Sequence, residues 1–206
     1  WGRKKSNEAV PERVFSQRRF SFLINSGPFF YLIYNIRIFF ALLFAKADII
    51  HAVDLDTLPA CFAVSKLRRK TLVYDAHEYF TEMPELVSRP NKRAVWLKIE
   101  EMILPRVKQG ITVGKMIANE YETKYSIPFT VVKNSPILQE LVSTESTEKY
   151  LLYQGALNKG RGLEALIGAM PYVDIVLKIA GSGDLDNELK ELVKDLGLED
   201  KVTFLG

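Results

Sequence analysis

Short apolar runs alternate with longer amphipathic segments along most of the chain. The short runs have the length of buried strands, and the segments between them carry apolar residues at helical spacing. Strands are predicted at residues 19–25, 48–53, 71–74, 110–113, 129–133, 150–154, 175–180 and 202–205. Helices are predicted at residues 29–46, 54–68, 92–104, 115–125, 162–170 and 184–196. Strands that alternate with helices form βαβ units around a parallel sheet, so the pattern predicts an α/β protein.

A polar stretch at residues 143–149 interrupts this pattern. It has no apolar period, and we interpret it as the link between two Rossmann-like domains at residues 1–146 and 147–206. The first domain lacks an opening strand with a glycine-rich turn, and the second lacks strands that a doubly wound sheet normally holds. The chain also begins at Trp1 rather than at Met. We therefore expect both domains to be truncated and the chain to be an internal piece of a longer protein.

Three prolines in the first half of the chain affect the predicted helices. Residues 76–90 are predicted to be irregular, with Pro84 and Pro90 as breakers. In the helix that follows the second strand, Asp56 is a candidate N-cap and Pro59 is expected in the first turn.

The most hydrophobic run, residues 28–45, is barely long enough to cross a bilayer. It carries Asn35 and Arg37 near its middle, and an arginine at the centre of a spanning helix costs roughly 2.5–3.5 kcal/mol. We therefore expect a helix packed on a sheet. A helix lying on a membrane surface is the alternative, because basic residues precede the run. Residues 1–20 hold Arg3, Lys4, Lys5, Arg13, Arg18 and Arg19 against Glu8 and Glu12.

The composition is that of a globular protein, with 48% apolar and 26% charged residues. The net charge of +3 is too small to indicate nucleic acid as a partner. Cys61 is the single cysteine, which excludes an intrachain disulfide and a cysteine zinc site. We expect its side chain to be buried in the core and the protein to reside in a reducing compartment. With no signal-peptide pattern, we expect a cytoplasmic location, with peripheral contact at the inner face of the membrane.

Titratable side chains gather at the carboxyl ends of two predicted strands, where open parallel sheets bind ligands. His77 lies between carboxylates, which hold an imidazole in one tautomer and let it exchange a proton with a hydroxyl. We therefore choose His77 as the catalytic candidate and Asp54, Asp75 and Glu78 as acceptor-side residues. His51 also ends a strand, with the alternative that its ring points into the sheet. Helix capping explains Asp54 equally well, and His77 has the alternative of satisfying a loop backbone group.

A cationic loop joins a strand to a helix near residue 155. Backbone N–H groups at a helix N-terminus attract anions, and two cations beside them strengthen the attraction. The loop therefore predicts a phosphate or diphosphate site between the two α/β halves, against the alternative of a solvated surface turn. The candidate donor-phosphate residues are Gly155, Lys159, Arg161 and Gly162.

A second glycine turn, Gly181-Ser182-Gly183, also joins a strand to a helix. The helix that follows opens with acidic residues, which repel phosphate, so we interpret this turn as a donor-proximal loop that lets backbone pass close to the ligand. Neither GxGxxG nor a P-loop is present, which argues against nicotinamide and ATP chemistry. No HExxH or cysteine–histidine spacing indicates a metal.

These motifs, in this order, resemble the family-4 (group 1) retaining glycosyltransferases of the GT-B fold. Their second domain reads G-x-L-x-x-x-K-G, then I-x-G-x-G, then V-x-F-L-G, and their first domain carries T-x-H-D/E and I-T-V-S. The corresponding segments here are residues 74–78, 111–114, 155–162, 179–183 and 202–206. The resemblance covers about residues 48–206.

The resemblance implies an N-terminal acceptor domain and the start of a C-terminal donor domain. It implies transfer of a hexose-type sugar from a nucleoside-diphosphate sugar to a hydroxyl, with retention, in cell-surface glycan synthesis. The acceptor would be a sugar or a lipid-linked intermediate. The donor is a substrate, and the family generally needs neither a cofactor nor a divalent metal.

Individual residues map onto the family pattern with two departures. Arg161 stands where the family usually has a lysine that contacts the donor diphosphate, and Ala156 stands where an arginine often assists it. Lys159 is a candidate to supply that missing charge. His77 corresponds to a family histidine near the transferred sugar and the donor phosphate. The family's glutamate pair would lie beyond Gly206, so the resemblance implies that this fragment alone is inactive.

Two other functions fit the same motifs. A nucleotide-sugar epimerase can share the two-domain fold, and a non-catalytic GT-B-like subunit would serve a partner or a membrane. Absence of the glutamate pair from the parent protein would favour the non-catalytic subunit. Hydrolysis of a nucleotide sugar by the full-length protein would favour transfer.

Overall fold

The structure, a computed structural model, describes residues 1–4, 14–136, 138 and 149–206. The chain divides into two compact units, Trp1–Pro136 and Ile137–Gly206. Apart from Lys149, the predicted interdomain link lies outside the described residues.

The first unit is built around a four-stranded parallel sheet. Its strands are β3 (Ile49–Val53), β4 (Thr71–Ala76), β5 (Gly110–Thr112) and β6 (Phe129–Val131), in that spatial order. A separate parallel pair consists of β1 (Gly2–Arg3) and β2 (Arg19–Phe20). The helices are α1 (Gly27–Leu43), α2 (Asp54–Arg68), α3 (Pro84–Val87), α4 (Pro90–Ile103) and α5 (Lys115–Tyr125). The predicted α/β class with parallel sheets is confirmed.

One face of this sheet carries the core of the first unit. Ile50 and Ala52 of β3 and Tyr74 and Ala76 of β4 are almost fully buried, and α2 and α5 pack near them. Because side chains alternate along a strand, the residues between them point to the opposite face. His51 on that face is exposed. The candidate site occupies the carboxyl end of this second face.

The strand predicted at residues 19–25 is wrong beyond Phe20. Phe22 packs edge-on against Phe30 and Tyr34 of α1, with ring centroids 5.3 and 5.8 Å apart. The guanidinium of Arg37 donates to the carbonyl of Ser21 at 2.7 Å. Helix contacts therefore replace strand pairing in this segment.

The proline predictions also need correction. Pro84 and Pro90 begin helices α3 and α4, because a first helical residue needs no free N–H. Helix α2 begins at Asp54, so Asp56 is not its N-cap and Pro59 lies inside the helix.

The amide of Asn35 in α1 supports α2 beside Pro59. Its Nδ2 donates to the carbonyl of Asp56 at 2.8 Å, and its Oδ1 accepts from the backbone N–H of Ala60 at 3.1 Å. These two groups are normal partners within a helix. Asn35 of α1 therefore provides hydrogen-bond partners for two backbone groups of α2.

Helix α1 has two apolar faces. Phe30, Tyr34, Ile38 and Leu42 form the buried face. The helix packs mainly on α2, whereas the sequence predicted packing on a sheet. The opposite face is exposed and uncharged, and it presents Phe29, Leu32, Ile33, Ile36, Phe40 and, just past the helix, Phe44. Among the described residues, no helix has both the length and the apolar character to cross a membrane.

The second unit has a three-stranded parallel sheet in the order β7 (Tyr150–Gln154), β8 (Val176–Ala180) and β9 (Val202–Phe204). Helices α6 (Leu163–Ala169) and α7 (Asp186–Asp195) connect the strands. Their apolar faces pack on the sheet. The core includes Leu157, Leu163, Ile167, Leu177, Ile179 and Leu189.

Candidate functional site

In the first unit, Asp75 holds two imidazoles at the carboxyl end of the sheet. Its Oδ2 lies 3.0 Å from Nε2 of His51 and 3.2 Å from Nε2 of His77. The Asp75 side chain is 13% exposed, whereas those of His51 and His77 are 50% and 43% exposed. A largely buried carboxylate therefore anchors two half-exposed rings.

The strand register explains this cluster. Asp75 on β4 is paired with Val53 on β3, and His51 lies two residues before Val53. Side chains two residues apart share a face of the sheet, so His51, Asp75 and His77 meet on one side. His51 was the residue whose direction the sequence left open. The direction of the His51 side chain follows from the strand register, because His51 lies two residues from Val53, the partner of Asp75.

Asp54 completes the cluster from the start of α2. Its Oδ1 accepts the backbone N–H of His77 at 3.1 Å. Asp54 has a left-handed backbone with φ of 58°, which costs about 1–3 kcal/mol in a residue other than glycine. Burial raises the pKa of its carboxyl group, and the His77 backbone bond and ring oppose that rise. Glu78 is exposed and has no side-chain hydrogen bond to any described residue.

Two uncompensated cations extend from the loop after β7. Lys159 and Arg161 are both exposed, and neither has a hydrogen bond or ion pair with a described residue. The following helix α6 has only seven residues and carries Glu164 in its first turn. Its dipole is therefore a weaker source of positive potential than the two side chains.

Hydrogen bonds join the start of this loop, at residues 157–158, to the glycine turn at residues 181–183 and the residues that follow it. The backbone N–H of Leu157 donates to the carbonyl of Ser182 at 3.1 Å, and that of Leu185 donates to the carbonyl of Leu157 at 2.9 Å. Oδ1 of Asn158 accepts the backbone N–H of Asp184 at 3.2 Å. The cations therefore project from a fixed backbone.

The turn glycines have a packing reason that the sequence did not reveal. A β-carbon on Gly181, whose φ is 142°, would lie 1.9 Å from the carbonyl oxygen of Gly155. One on Gly183 would lie 2.5 Å from the carbonyl oxygen of Leu157. The structure brings Gly155, at the start of the cationic loop, against Gly181, with Ser182 and Gly183 beside the same loop. Their proximity to a donor stays a prediction.

The described residues contain no group of three or more histidine, cysteine or acidic side chains arranged to hold a metal ion. The first unit offers imidazoles and carboxylates for chemistry, and the second offers two cations.

Comparison with known proteins finds a family match in the second unit. Residues 138–206 match the model of the family described as glycosyl transferases group 1. An uncharacterized glycosyltransferase of Methanocaldococcus jannaschii is 41% identical over 69 residues, which are 32% of this chain and 18% of that protein.

A second relative is the N-acetylgalactosamine-N,N'-diacetylbacillosaminyl-diphospho-undecaprenol 4-alpha-N-acetylgalactosaminyltransferase of Campylobacter jejuni. It is 43% identical over 61 residues, which are 29% of this chain and 17% of that enzyme. The matched segments thus span less than a fifth of either relative.

The fold match extends over both units. The crystal structure of Anabaena Alr3699/HepE in complex with UDP-glucose matches with a TM-score of 0.66 and 20% identity, over 92% of this chain and 55% of that one. At this identity the match establishes the fold alone. Residues 138–206 therefore match the group 1 glycosyltransferase family, and the chain carries part of the GT-B fold.

Proposed function

We propose that the protein of which this chain is a part transfers a hexose-type sugar from a nucleoside-diphosphate sugar to an acceptor hydroxyl, with retention. The family description, the two relatives' names and the UDP-glucose bound by a protein of the same fold support this proposal. Cell-surface glycan synthesis is the proposed setting, since one relative's name contains a diphospho-undecaprenol acceptor.

The cationic loop is the observation that carries the proposal. When the sugar bond breaks, the leaving diphosphate gains negative charge, and fixed cations stabilise that state more than the ground state. Arg161 has a planar guanidinium that binds two phosphate oxygens at once. Lys159, two residues before it, supplies a second charge where Ala156 leaves none. With both cations unpaired among the described residues, a diphosphate meets no competing carboxylate.

The imidazole cluster supplies the acceptor side. Asp54 and Asp75 place two carboxylates beside His51 and His77, so negative groups surround the rings. Such a set favours hydroxyl groups over phosphates. We therefore assign His77 to the reacting hydroxyl and the two aspartates to its support, with Glu78 as an exposed neighbour.

Two alternatives lead to different products. A nucleotide-sugar epimerase would convert the donor without using an acceptor, and a non-catalytic subunit would leave the donor unchanged. The cationic loop fits all three functions, because each binds or is descended from a binder of nucleotide sugars.

Incubation of the full-length protein with UDP-hexoses and GDP-hexoses separates these functions. We expect slow release of the nucleoside diphosphate together with free sugar, and NMR of the sugar made with an added acceptor should show the donor's anomeric configuration. We also expect the reaction to persist in a chelator. Conversion of one nucleotide sugar into another would establish the epimerase, and an unchanged donor with every sugar would contradict transfer.

We also propose that α1 lies on the inner face of a membrane. Its exposed face is apolar across Phe29, Leu32, Ile36 and Phe40, and Arg37 lies at its edge with its guanidinium 5.0 Å from the ring of Phe22. Three further basic residues of the first unit are exposed, namely Lys4, Arg18 and Arg19. An apolar face bordered by cations binds anionic bilayers through burial of apolar surface and through electrostatic attraction to the lipid headgroups.

Vesicle sedimentation tests this contact. Wild-type protein should sediment with phosphatidylglycerol-containing vesicles and much less with pure phosphatidylcholine vesicles. The double variant Ile36→Ser and Phe40→Ser should lose this binding. Leu152→Ser, which removes an exposed apolar side chain from β7, is the matched control and should bind normally. Equal sedimentation of the double variant would contradict the assignment to α1.

A further inference from the structure

The carboxylate of Asp75 fixes the same nitrogen of two histidine rings. A carboxylate only accepts hydrogen bonds, so both Nε2 atoms, at 3.0 and 3.2 Å, donate to it. In a neutral imidazole the other nitrogen then carries a lone pair. Asp75 therefore sets one tautomer, protonated at Nε2, in both His51 and His77.

The two Nδ1 atoms are left as acceptors. Neither has a hydrogen-bond partner in the part of the chain that the structure describes, and about half of each ring's surface is exposed. Asp54 holds the backbone of His77 in place through a bond to its N–H. The cluster thus presents two fixed lone pairs that no described protein group uses.

The surrounding charge decides which ligand fits. Phosphate groups have acceptor oxygens and negative charge, and they would meet two acceptor nitrogens with Asp54 and Asp75 behind them. Hydroxyl groups donate hydrogen bonds and carry no charge. Sugar hydroxyls therefore suit two acceptor nitrogens better than phosphate groups do.

We propose that His51 and His77, oriented by Asp75, form a hydroxyl-binding pair that accepts hydrogen bonds from two hydroxyls of a sugar. The identity of that sugar as the acceptor rests on the proposed glycosyl transfer. His51 is a binding residue in this pair, and Asp75 is a positioning residue that acts through both rings.

The chain has only two histidines, so nitrogen NMR of the imidazoles reads this pair without overlap. In the neutral form, both rings of the wild type should be protonated at Nε2. Asp75→Asn should change the tautomer signal of at least one ring, because an amide both donates and accepts. Asp48→Asn removes the same charge at an exposed position near the other end of β3 and should leave both signals unchanged. A ring protonated at Nδ1 in the wild type would overturn the proposal.

Titration supplies the ligand test. Methyl β-D-glucopyranoside should shift both Nδ1 resonances in a saturable way, and inorganic phosphate should not. His51→Gln keeps a donor able to reach Asp75 but has no acceptor at the Nδ1 position, so it should weaken the glycoside response of His77 at least fivefold. Saturation by phosphate, or a normal response in His51→Gln, would overturn the proposal. Failure of the transfer reaction would leave these spectra unaffected, because they need no donor.

Discussion

Gly181 lies so close to Gly155 that a β-carbon on it would be 1.9 Å from the Gly155 carbonyl oxygen. The contact joins two strand-to-helix loops that are distant in sequence. It continues beyond the strands, where the N–H of Leu157 donates to the carbonyl of Ser182. The cationic loop therefore takes its position from the glycine turn.

Gly181→Ala should destabilise the second unit by at least about 2 kcal/mol, because the new methyl group clashes with backbone and the residue has φ of 142°. Hydrogen exchange of peptides from residues 150–206 measures the loss. Gly168→Ala in α6 is the control. Nothing lies within 4 Å of its added β-carbon, and we expect a gain of about 0.5–1 kcal/mol. Equal protection in the two variants would contradict the packing role.

Asn35→Leu should destabilise the first unit by about 2–3 kcal/mol. It removes three hydrogen bonds, one of them to the carbonyl of Tyr31, and leaves the N–H of Ala60 and the carbonyl of Asp56 unpaired beside Pro59. Chemical unfolding followed by Trp96 fluorescence reports on this unit. Asn25→Leu, which removes an exposed amide bonded to Arg3, should change stability by less than about 0.5 kcal/mol. Unchanged stability in Asn35→Leu would show that α2 does not need the hydrogen bonds from Asn35.

Asp56 should make the protein less stable as the pH rises. Burial, and then the charge of Asp54, raise its pKa from 3.8 to about 6. A carboxyl group with a raised pKa stabilises the folded state fully below the unfolded value, and that stability is lost as the pH rises through about 6. The loss is at most about 3 kcal/mol.

Asp56→Asn should remove this pH dependence and raise the free energy of unfolding at neutral pH by about 1–2 kcal/mol. Urea unfolding of both proteins at several pH values between about 4 and 7 measures the difference. Parallel curves for the wild type and the variant would rule out a raised pKa at Asp56.

The sequence predicted the architecture because alternation of apolar runs is a local property. It also placed Asp75 and His77 on the ligand side, because open parallel sheets bind ligands at the carboxyl ends of their strands. It did not predict the role of His51, which depends on the register between β3 and β4. It placed the start of α2 correctly at Asp54 but put the N-cap at Asp56, and it gave no sign of the left-handed backbone at Asp54.

The contacts between the two loops had only a partial local signal. The glycines at 181 and 183 indicated a close backbone approach, and the sequence assigned that approach to a ligand. The structure shows the neighbouring loop in that place, held by backbone hydrogen bonds that no side-chain pattern encodes. The exposure of Lys159 and Arg161, in contrast, could be predicted, since the sequence around them is polar.

His77→Ala in the full-length protein should lower turnover by about 100-fold or more, as expected on loss of a group that exchanges a proton, and should change the affinity for UDP by less than about twofold. Steady-state kinetics with calorimetry separates the two. Asp48→Asn should match the wild type in both measurements. Unchanged turnover would remove His77 from the site.

The most direct test of the proposed donor site is the affinity of full-length Arg161→Ala for UDP and GDP, measured by calorimetry. Loss of hydrogen bonds to a charged group should weaken binding of the preferred nucleotide by roughly 1.5–3 kcal/mol, or about 10- to 150-fold. Lys194→Ala, which removes an exposed charge from the last turn of α7, should bind as the wild type does. Wild-type affinity in Arg161→Ala would contradict a diphosphate site at this loop.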